Sequence, residues 1–484
     1  MRILQKHKDT LEILCKPDEI DFSIGDYLVA RDGELALLLQ VIDVCYADVP
    51  GVAEDIMRDI SAEEANGKKL FDPYNITSLS LLIREIRLVT AKIRGVVLDG
   101  KLLTNSAWLP NRFSADIERI GREYFHIISR QEGERLILLG KVGGHPFHIP
   151  VESLDGQLTI ITGKKESGKS HMAKLLVEGL VTNGATVLVL DVNGEYIHLG
   201  RRKDGGLSVL AGSMTVLEPG VNFTTSPSMM GLRCFMDVLE HVYQTPPTSC
   251  REFSRVWHIV ERGEGEVTLN TLIQTLSRIS MNESVREALV SRINSIEASG
   301  FVVDDREPTE LRDLLQPKPG GNLVVVNLLN LLPTTRRLVV EYLLSSLSNM
   351  LRQEAITPLF LLAEEAHLYL RETYWEDIVT RMRHLGLFPI FVTNQPDTIP
   401  ESVYRQADNF FLFNFANESD LERIARASRI DGESVKSLGR GLPPRHCLLV
   451  GRMVSDIPVV LSVRESELQT LGQTRLFFKT INRH

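Results

Sequence analysis

Apolar residues occur in short runs separated by helix-length amphipathic segments from about residue 158 onward. This alternation is typical of βαβ units, in which helices cover a parallel sheet. Most of the runs are too apolar to leave one face of a strand in water, which favours buried strands of a parallel sheet. The predicted strands are residues 158–162, 186–191, 322–328, 359–364, 388–394 and 410–415. The second half of the chain is therefore predicted to have an α/β fold.

The first 150 residues follow a different pattern, with short β-like runs between glycine and aspartate turns. Such runs predict the strands of a small β domain. They are residues 27–30, 35–44, 87–97 and 136–139. Residues 61–81 break this pattern and are predicted to be an excursion or a loop. In the α/β half, residues 201–321 separate the second and third strands, and the Leu, Ile and Val spacing at 269–296 predicts a helical insertion.

Composition narrows the classes of protein that remain. The chain has 484 residues, of which 43% are hydrophobic and 24% charged, which is ordinary for a globular protein. No run of ~18 or more apolar residues is available to span a membrane, and the N-terminus lacks a signal-peptide pattern, so a cytoplasmic protein is expected. The net charge of −9 argues against a surface coated for nucleic acid. Basic residues confined to a central channel would not be revealed by this total charge.

Cysteine and histidine spacing gives no indication of a metal centre. The five cysteines are far apart, with no C-x-x-C pair, and are predicted to be buried free thiols. His145 and His148 have no acidic or thiol partner at ligand spacing and are interpreted as structural. A basic cluster at residues 201–203 either faces a nucleic acid or is a solvated loop.

A glycine-rich loop between the strand 158–162 and the helical run 171–181 is the most specific motif in the chain. It matches G-x-x-x-x-G-K-[ST], and both flanking elements are those that the motif requires. Its residues are Gly163, Lys164, Lys165, Glu166, Ser167, Gly168, Lys169 and Ser170. Backbone N–H groups and the helix N-terminus bind phosphate in such loops. A chance match in a glycine-containing turn is the alternative, and the flanking strand and helix argue against it.

Two side chains of this loop have predicted roles, and a third is unusual. Lys169 is expected to reach the β- and γ-phosphates of a nucleotide, and Ser170 the magnesium ion. His171 follows directly and is included in the predicted nucleotide site. Glu166 places a negative charge in a phosphate-binding loop, so its side chain is predicted to point outward or to be neutralised.

Two adjacent carboxylates, Glu364 and Glu365, end the predicted strand 359–364. In nucleotide hydrolases this edge of the sheet carries the groups that hold magnesium and orient the attacking water. Because successive strand side chains point in different directions, Glu364 is assigned to the metal and Glu365 to catalysis. The alternative is an acidic helix N-terminus stabilised by the helix dipole, and the phosphate loop in the same chain makes that reading less favourable.

Polar residues around the next strand complete the predicted site. Asn394 or Gln395 is placed to sense the γ-phosphate through hydrogen bonds, and a simple turn explains them equally well. Arg381 and Arg383 lie between the two strands on a predicted helix, where residues two apart do not share a face. At most one of them is an arginine finger that crosses to a neighbouring subunit's γ-phosphate. A solvated helix arginine is the alternative.

The order of these motifs resembles the HerA family of hexameric DNA-translocating ATPases, relatives of FtsK. The resemblance covers most of the chain. Its most specific marks are Asp-x-x-Gly-Glu-Tyr at residues 191–196 and Glu-Glu-Ala-His at residues 364–367. The phosphate loop precedes both marks, and Asn394-Gln395-Pro396 follows them.

This resemblance implies a domain organisation. The expected fold is a RecA-like P-loop core with a mostly parallel sheet, a helical insertion and a small N-terminal β-barrel. The implied boundaries are 1–150 for the barrel-like domain, 151–200 and 322–464 for the core, 201–321 for the insertion and 465–484 for a C-terminal tail.

The resemblance also implies roles for single residues. Asp191 and Glu195 are expected to line the nucleotide site, and Glu365 to be the catalytic carboxylate. Arg383, three residues before Gly386, occupies the position of a family arginine. The chain departs from the family pattern at three places. In the phosphate loop Lys165 and Glu166 replace small residues, and after the strand 388–394 Asn394 replaces a glutamine. On the helix Thr380 stands where a second arginine is usual, and Arg381 is displaced by one residue from that position.

ATP and magnesium are the cofactors that the resemblance implies, and its partners are a homo-hexameric ring, double-stranded DNA in the channel and a nuclease or other effector protein. The leading hypothesis is an ATP-dependent DNA translocase or helicase. The alternative is a nucleotide-gated ring scaffold for a defence effector with little translocation. A small-molecule kinase is disfavoured, because paired carboxylates suit water activation better than transfer to a bound metabolite.

Overall fold

A computed structural model describes residues 1–16, 22–47, 85–104, 107–129, 133–263, 266–369, 376–415, 418–427 and 432–469. The predicted loop at 61–81 and residues 470–484 of the predicted tail lie outside these ranges. The chain divides into two compact units. The first comprises Met1–Glu132, Gly140–His148 and Asn414–Val463, and the second Gly133–Leu139, Ile149–Phe413 and Arg464–His484.

The strands of the described residues are, in chain order, β1 (Arg2–His7), β2 (Thr10–Cys15), β3 (Tyr27–Asp32), β4 (Leu35–Tyr46), β5 (Arg87–Leu98), β6 (Lys101–Leu103), β7 (Asp116–Arg119), β8 (Leu136–Val142), β9 (His145–Pro150), β10 (Thr159–Thr162), β11 (Thr186–Asp191), β12 (Met214–Leu217), β13 (Asn322–Asn327), β14 (Leu359–Glu364), β15 (Leu387–Thr393), β16 (Asn409–Leu412), β17 (His446–Gly451) and β18 (Val459–Val463).

The α-helices of the same residues are α1 (Arg122–Ile128), α2 (Lys169–Thr182), α3 (Pro227–Asp237), α4 (Pro247–Arg262), α5 (Leu269–Arg278), α6 (Glu283–Glu297), α7 (Leu311–Leu314), α8 (Pro333–Arg352), α9 (Glu401–Gln406), α10 (Glu418–Ala427) and α11 (Gly432–Gly439). None of the helices in the described part of the chain is both long and apolar enough to cross a membrane.

A parallel sheet forms the centre of the second unit, with its strands in the order β12-β13-β11-β14-β15-β10-β16. Every residue of β10, β11 and β14 is buried, as expected for central strands of a sheet covered on both faces. The predicted strands of this half are confirmed, with ends shifted by up to three residues. Because β14, β15 and β10 are parallel neighbours, their carboxyl ends lie at one edge of the sheet.

The predicted insertion contains most of the helices of this unit. Its helical spacing at 269–296 corresponds to α5 and α6, which are two helices because each has its own cap. The Thr268 side chain accepts from the N–H of Thr271, and Asn282 accepts from the N–H of Ser284. The segment also contributes β12, a parallel partner of β13. The helical prediction missed this strand, whose four residues are too few to show a period.

The first unit is built on an antiparallel sheet with the strand order β1-β2-β5-β4-β3-β7, and β6 pairs with β5. Alternate apolar residues of these strands form a buried core, including Leu28, Leu37, Leu39 and Val89. Three of the four strands predicted for the β domain lie in this sheet, whereas the fourth, residues 136–139, is part of β8, which pairs with β18 instead. The bounds of the domain and the closure of its sheet into a barrel stay predictions.

Residues 414–463, which the predicted boundaries place in the α/β core, fall in the first unit together with the N-terminal strands. Long-range polar contacts join the two segments. The buried Lys92 ammonium of β5 lies 3.0 Å from Glu433 of α11. Arg94 of the same strand donates to the hydroxyl of Ser434 at 2.9 Å. Such pairs, about 340 positions apart, leave no local trace in the sequence.

Candidate nucleotide site

The glycine-rich loop connects β10 to α2, as its motif requires. Gly163 has φ +146°, and a Cβ atom there would lie 2.7 Å from Cβ of Phe413, so only glycine fits. Gly168 has φ +115° and caps α2. The side chain of Glu166 is exposed, in agreement with its predicted outward orientation. The backbone thus forms the tight turn that brings amide groups to a phosphate.

Lys169 lies at the start of α2 with its side chain buried. Its Nζ donates to the carbonyl of Lys164 within the loop at 2.8 Å. Burial lowers the pKa of Lys169, while the negative charges of Glu365 and Glu364 act in the opposite direction. The ammonium is therefore held between the loop and the acidic end of β14, where phosphate oxygens would compete with the carbonyl.

Ser170 and Glu364 are in direct contact. The serine hydroxyl donates to Oε1 of Glu364 at 2.9 Å, and Oε2 of this 2% exposed residue is buried with no hydrogen-bond partner in the described residues. Burial and the neighbouring Glu195 and Asp191 raise the pKa of Glu364 to about 8. A buried carboxylate oxygen beside a hydroxyl is the hard oxygen donor set that magnesium prefers. The residues that the sequence assigns to the metal therefore fit it.

Asp191 and Glu195, the acidic residues of the first family mark, have different contacts. The Asp191 carboxylate accepts the backbone N–H groups of Glu195 at 3.0 Å and Tyr196 at 2.8 Å, which fixes the turn after β11. Glu195 accepts a 2.7 Å hydrogen bond from Nζ of Lys174, whose side chain is only 3% exposed. Nζ of Lys174 also lies 5.4 Å from the centre of the Tyr196 ring.

Lys174 is the residue that sequence reasoning missed. It lies on α2, five residues after Lys169, within the buried stretch from Met172 to Val177. A lysine in an otherwise apolar helix segment is the signal that was available, since a buried lysine needs an anionic partner. The positive charge of Lys174 also acts to lower the pKa of Glu364, so Lys174 interacts with the same group of carboxylates.

Glu365 immediately follows β14 and has φ +47° and ψ +45°, the left-handed region that a non-glycine residue rarely adopts. Its Oε2 accepts from the backbone N–H of Asn394 at 3.4 Å and lies 3.5 Å from Nδ1 of His367. Asn394 is partly buried at the end of β15, whereas Gln395 is exposed. The structure thus brings Glu365 and Asn394 together at the edge where the phosphate loop lies.

Arg383 is bound at the opposite edge of the sheet. Its Nε donates to the carbonyl of Gly156 at 2.6 Å, and Nη1 lies 3.0 Å from the buried carboxylate of Asp408. Asp408 also accepts the N–H of Leu158, just before β10 begins. Arg381 differs, because 79% of its side chain is exposed and its ion-pair partner is Asp377 at 3.3 Å. The assignment of either arginine as a finger stays a prediction.

His171 contacts the backbone after β18. Its Nε2 lies 2.7 Å from the backbone carbonyl of Arg464, and Arg464 forms a 2.8 Å ion pair with Glu178 of α2. These contacts attach the segment after β18 to the outside of α2. A direct role of His171 in nucleotide binding stays a prediction.

Arg383→Ala is expected to lower the free energy of unfolding by about 2–4 kcal/mol, because it removes the guanidinium that lies 3.0 Å from the buried carboxylate of Asp408. Arg381→Ala is expected to change it by less than about 0.5 kcal/mol, since an exposed i, i+4 pair contributes little. Chemical denaturation of both variants measures the difference. Equal stabilities would show that the Arg383–Asp408 contact has no structural importance.

Comparisons with known proteins identify the family that the chain resembles. Residues 161–347 match the family model described as the central domain of helicase HerA. The DNA double-strand break repair helicase HerA of Sulfolobus acidocaldarius is 21% identical over 366 residues, which cover 69% of this chain and 70% of that protein. The helicase of the same name from Saccharolobus solfataricus is 22% identical over 338 residues, covering 63% of this chain and 64% of that protein.

Solved structures give the fold independently. VirB4 of Thermoanaerobacter pseudethanolicus superposes with a TM-score of 0.50 at 15% identity, covering 68% of this chain and 96% of that chain. The trigonal form of the bacterial conjugative coupling protein TrwBdeltaN70 in complex with sulphate also gives 0.50, at 12% identity, with 70% and 92% covered. Such low identities establish only the shared α/β fold. The family match and the two relatives confirm the predicted resemblance to HerA: residues 161–347 match the model of the HerA central domain, and the chain is a P-loop ATPase.

Proposed function

We propose that the chain is an ATP-dependent DNA translocase of the HerA type. The observation that carries this proposal is the contact between Ser170 of the phosphate loop and Glu364 at the end of β14, with Glu365 as the next residue. A nucleotide on the loop would place its terminal phosphate beside both carboxylates. The DNA-handling part of the proposal comes from the names of the HerA relatives, whereas the acidic site supports only the ATP hydrolysis.

In the proposed mechanism Lys169 exchanges the Lys164 carbonyl for the β- and γ-phosphates, and the amides of the loop hold the remaining oxygens. Ser170 and Glu364 would hold magnesium, which supplies positive charge to the phosphate oxygens when bound. Glu365 orients the attacking water and accepts its proton. Asn394, whose backbone already contacts Glu365, is placed to report the presence of the γ-phosphate.

The assembly is part of the same proposal. The family resemblance implies a homo-hexameric ring with double-stranded DNA in its channel, a barrel-like N-terminal domain and a nuclease or other effector partner. A cytoplasmic location, expected from the sequence pattern, is proposed with them. An arginine from the adjacent subunit would stabilise charge on the γ-phosphate. To act there, Arg383 has to leave Asp408, whereas the exposed Arg381 has to leave only Asp377.

The basic cluster at residues 201–203 is the proposed DNA contact. All three residues are exposed in the loop that follows β11. Arg202 is partly neutralised by Asp204 at 3.3 Å and Glu467 at 3.1 Å. Phosphate binding by this loop is therefore expected to compete with its own carboxylates and to be sensitive to salt.

We expect linear double-stranded DNA to stimulate ATP hydrolysis, and the stimulation to fall as the salt concentration rises, because phosphate contacts release counterions. The measurement is steady-state turnover with and without DNA across a salt series, with Glu365→Gln as the control for hydrolysis at this site. Equal turnover with and without DNA, together with no DNA binding at low salt, would contradict the translocase.

The scaffold alternative is motivated by the negative charge of Glu166 in the phosphate loop. The atypical arginine pattern, with Thr380 where the family has a second arginine, also motivates it. A ring that uses ATP only to assemble would turn over slowly. Turnover above about one per minute that Glu365→Gln abolishes would exclude the scaffold.

A further inference from the structure

His367 belongs to the second family mark but has no part in the mechanism described so far. It lies in the short 3-10 turn Ala366–Leu368 that follows Glu365, with 11% of its side chain exposed. Its Nδ1 is 3.5 Å from Oε2 of Glu365 and 3.3 Å from the hydroxyl oxygen of Thr393. One ring nitrogen therefore faces both the proposed catalytic carboxylate and the last residue of β15.

The neighbours of Nδ1 determine which ring nitrogen carries the proton. A carboxylate has only acceptor oxygens, so a lone pair on Nδ1 would face the charge of Glu365. The tautomer with a proton on Nδ1 donates toward Glu365 and Thr393 instead. In this tautomer Nδ1–H donates to the Thr393 hydroxyl at 3.3 Å and faces the Glu365 carboxylate at 3.5 Å.

Thr393 is itself fixed by the end of β15. Its hydroxyl oxygen accepts the backbone N–H of Gln395 at 3.0 Å. The N–H of Asn394, between them, donates to Oε2 of Glu365 at 3.4 Å. His367 and Asn394 therefore connect the carboxylate to a strand end that is placed to sense the γ-phosphate.

Glu365 needs such support because of its backbone. The left-handed conformation of a non-glycine residue costs free energy and persists only where its surroundings enforce it. Both contacts given above use Oε2, which leaves Oε1 to orient the water. A carboxylate whose second oxygen is not held would sample several orientations, and few of them would direct a lone pair at the water.

We propose that His367 is a positioning residue for ATP hydrolysis: its Nδ1–H holds Oε2 of Glu365 and couples the carboxylate to Thr393 at the end of β15. The inference deepens the proposed function and rests on the role assigned there to Glu365. It gives the histidine of the Glu-Glu-Ala-His mark a task distinct from nucleotide binding.

The first test compares three substitutions of His367. His367→Ala should lower kcat about 10- to 100-fold while KM for ATP and nucleotide affinity change little, because only the orientation of Glu365 is lost. His367→Asn, which places an amide N–H near the position of Nδ1, should recover most of kcat. His367→Gln, whose amide reaches the position of Nε2, should not. Steady-state kinetics and nucleotide binding of each variant measure the split.

The second test addresses the connection to β15. Thr393→Val removes the hydroxyl at almost constant shape, and Thr393→Ser keeps it, so the serine variant is the matched control. The valine variant should lower kcat, and the double variant with His367→Ala should lose no more than His367→Ala alone. Additive losses in the double variant would overturn the coupling.

The outcomes separate this inference from the proposed function. Unchanged or raised kcat in His367→Ala, or equal activity of the asparagine and glutamine variants, overturns the positioning role when Glu365→Gln is inactive. A fully active Glu365→Gln overturns the catalytic assignment itself. A merely structural histidine would lower the melting temperature of all three His367 variants without the split between kcat and KM.

Discussion

Lys169→Ala is expected to abolish ATP hydrolysis and to weaken nucleotide binding. The buried Lys169 ammonium lies between the loop carbonyl of Lys164 and the carboxylates of Glu364 and Glu365. A nucleotide would add negative phosphate oxygens to this acidic surrounding, and Lys169 is the side chain that the motif directs at them. Loss of a preorganised cation at the γ-phosphate should cost about 10²-fold or more in turnover.

The loss of nucleotide binding distinguishes Lys169 from a residue that acts only in the chemical step. Titration with a fluorescent ATP analogue and steady-state turnover measure the two effects separately. Lys141→Ala, which removes an exposed lysine of β8, is the control for a change in net charge. Undiminished turnover in Lys169→Ala, with the protein folded, would refute the assignment of the loop.

The parts of the site that the sequence predicts are those built from contiguous residues. The phosphate loop is specified by glycines at positions where no other residue fits, as Gly163 shows beside Phe413. The strands β11 and β14 agree with the prediction to the residue, since a buried parallel strand is a continuous apolar run. The role of Glu364 as a site residue could be predicted because it ends such an apolar run, where a charged side chain has no packing role.

Other parts of the site and fold depend on contacts between residues that are far apart in the sequence, and the sequence gives weaker signals for them. Lys174 is explained by its ion pair with Glu195, 21 positions later, which approaches because Asp191 fixes the turn after β11. The family resemblance makes Arg383 a candidate finger, and its contact with Asp408 at the amino edge of the sheet could not be inferred from the sequence. The inclusion of residues 414–463 in the first unit likewise depends on contacts between distant residues.

Glu365→Gln is expected to preserve nucleotide binding and to slow hydrolysis by ~10² or more. Glutamine keeps the size and shape of the side chain, and its amide oxygen can still accept from the N–H of Asn394. It cannot accept a proton from water, however, so only the chemical step should suffer. Single-turnover hydrolysis and equilibrium binding of ATP measure the two quantities.

Glu364→Gln is the matched comparison, because it removes the neighbouring charge instead. Glu364 accepts from Ser170 and has a buried oxygen available for a cation, so its loss should raise the magnesium concentration needed for half-maximal activity. Glu365→Gln should leave that concentration unchanged, since its carboxylate contacts Asn394 and His367 rather than Ser170. If Glu365→Gln hydrolyses ATP normally while Glu364→Gln does not, the general base is Glu364, and the order of the two assigned roles is reversed.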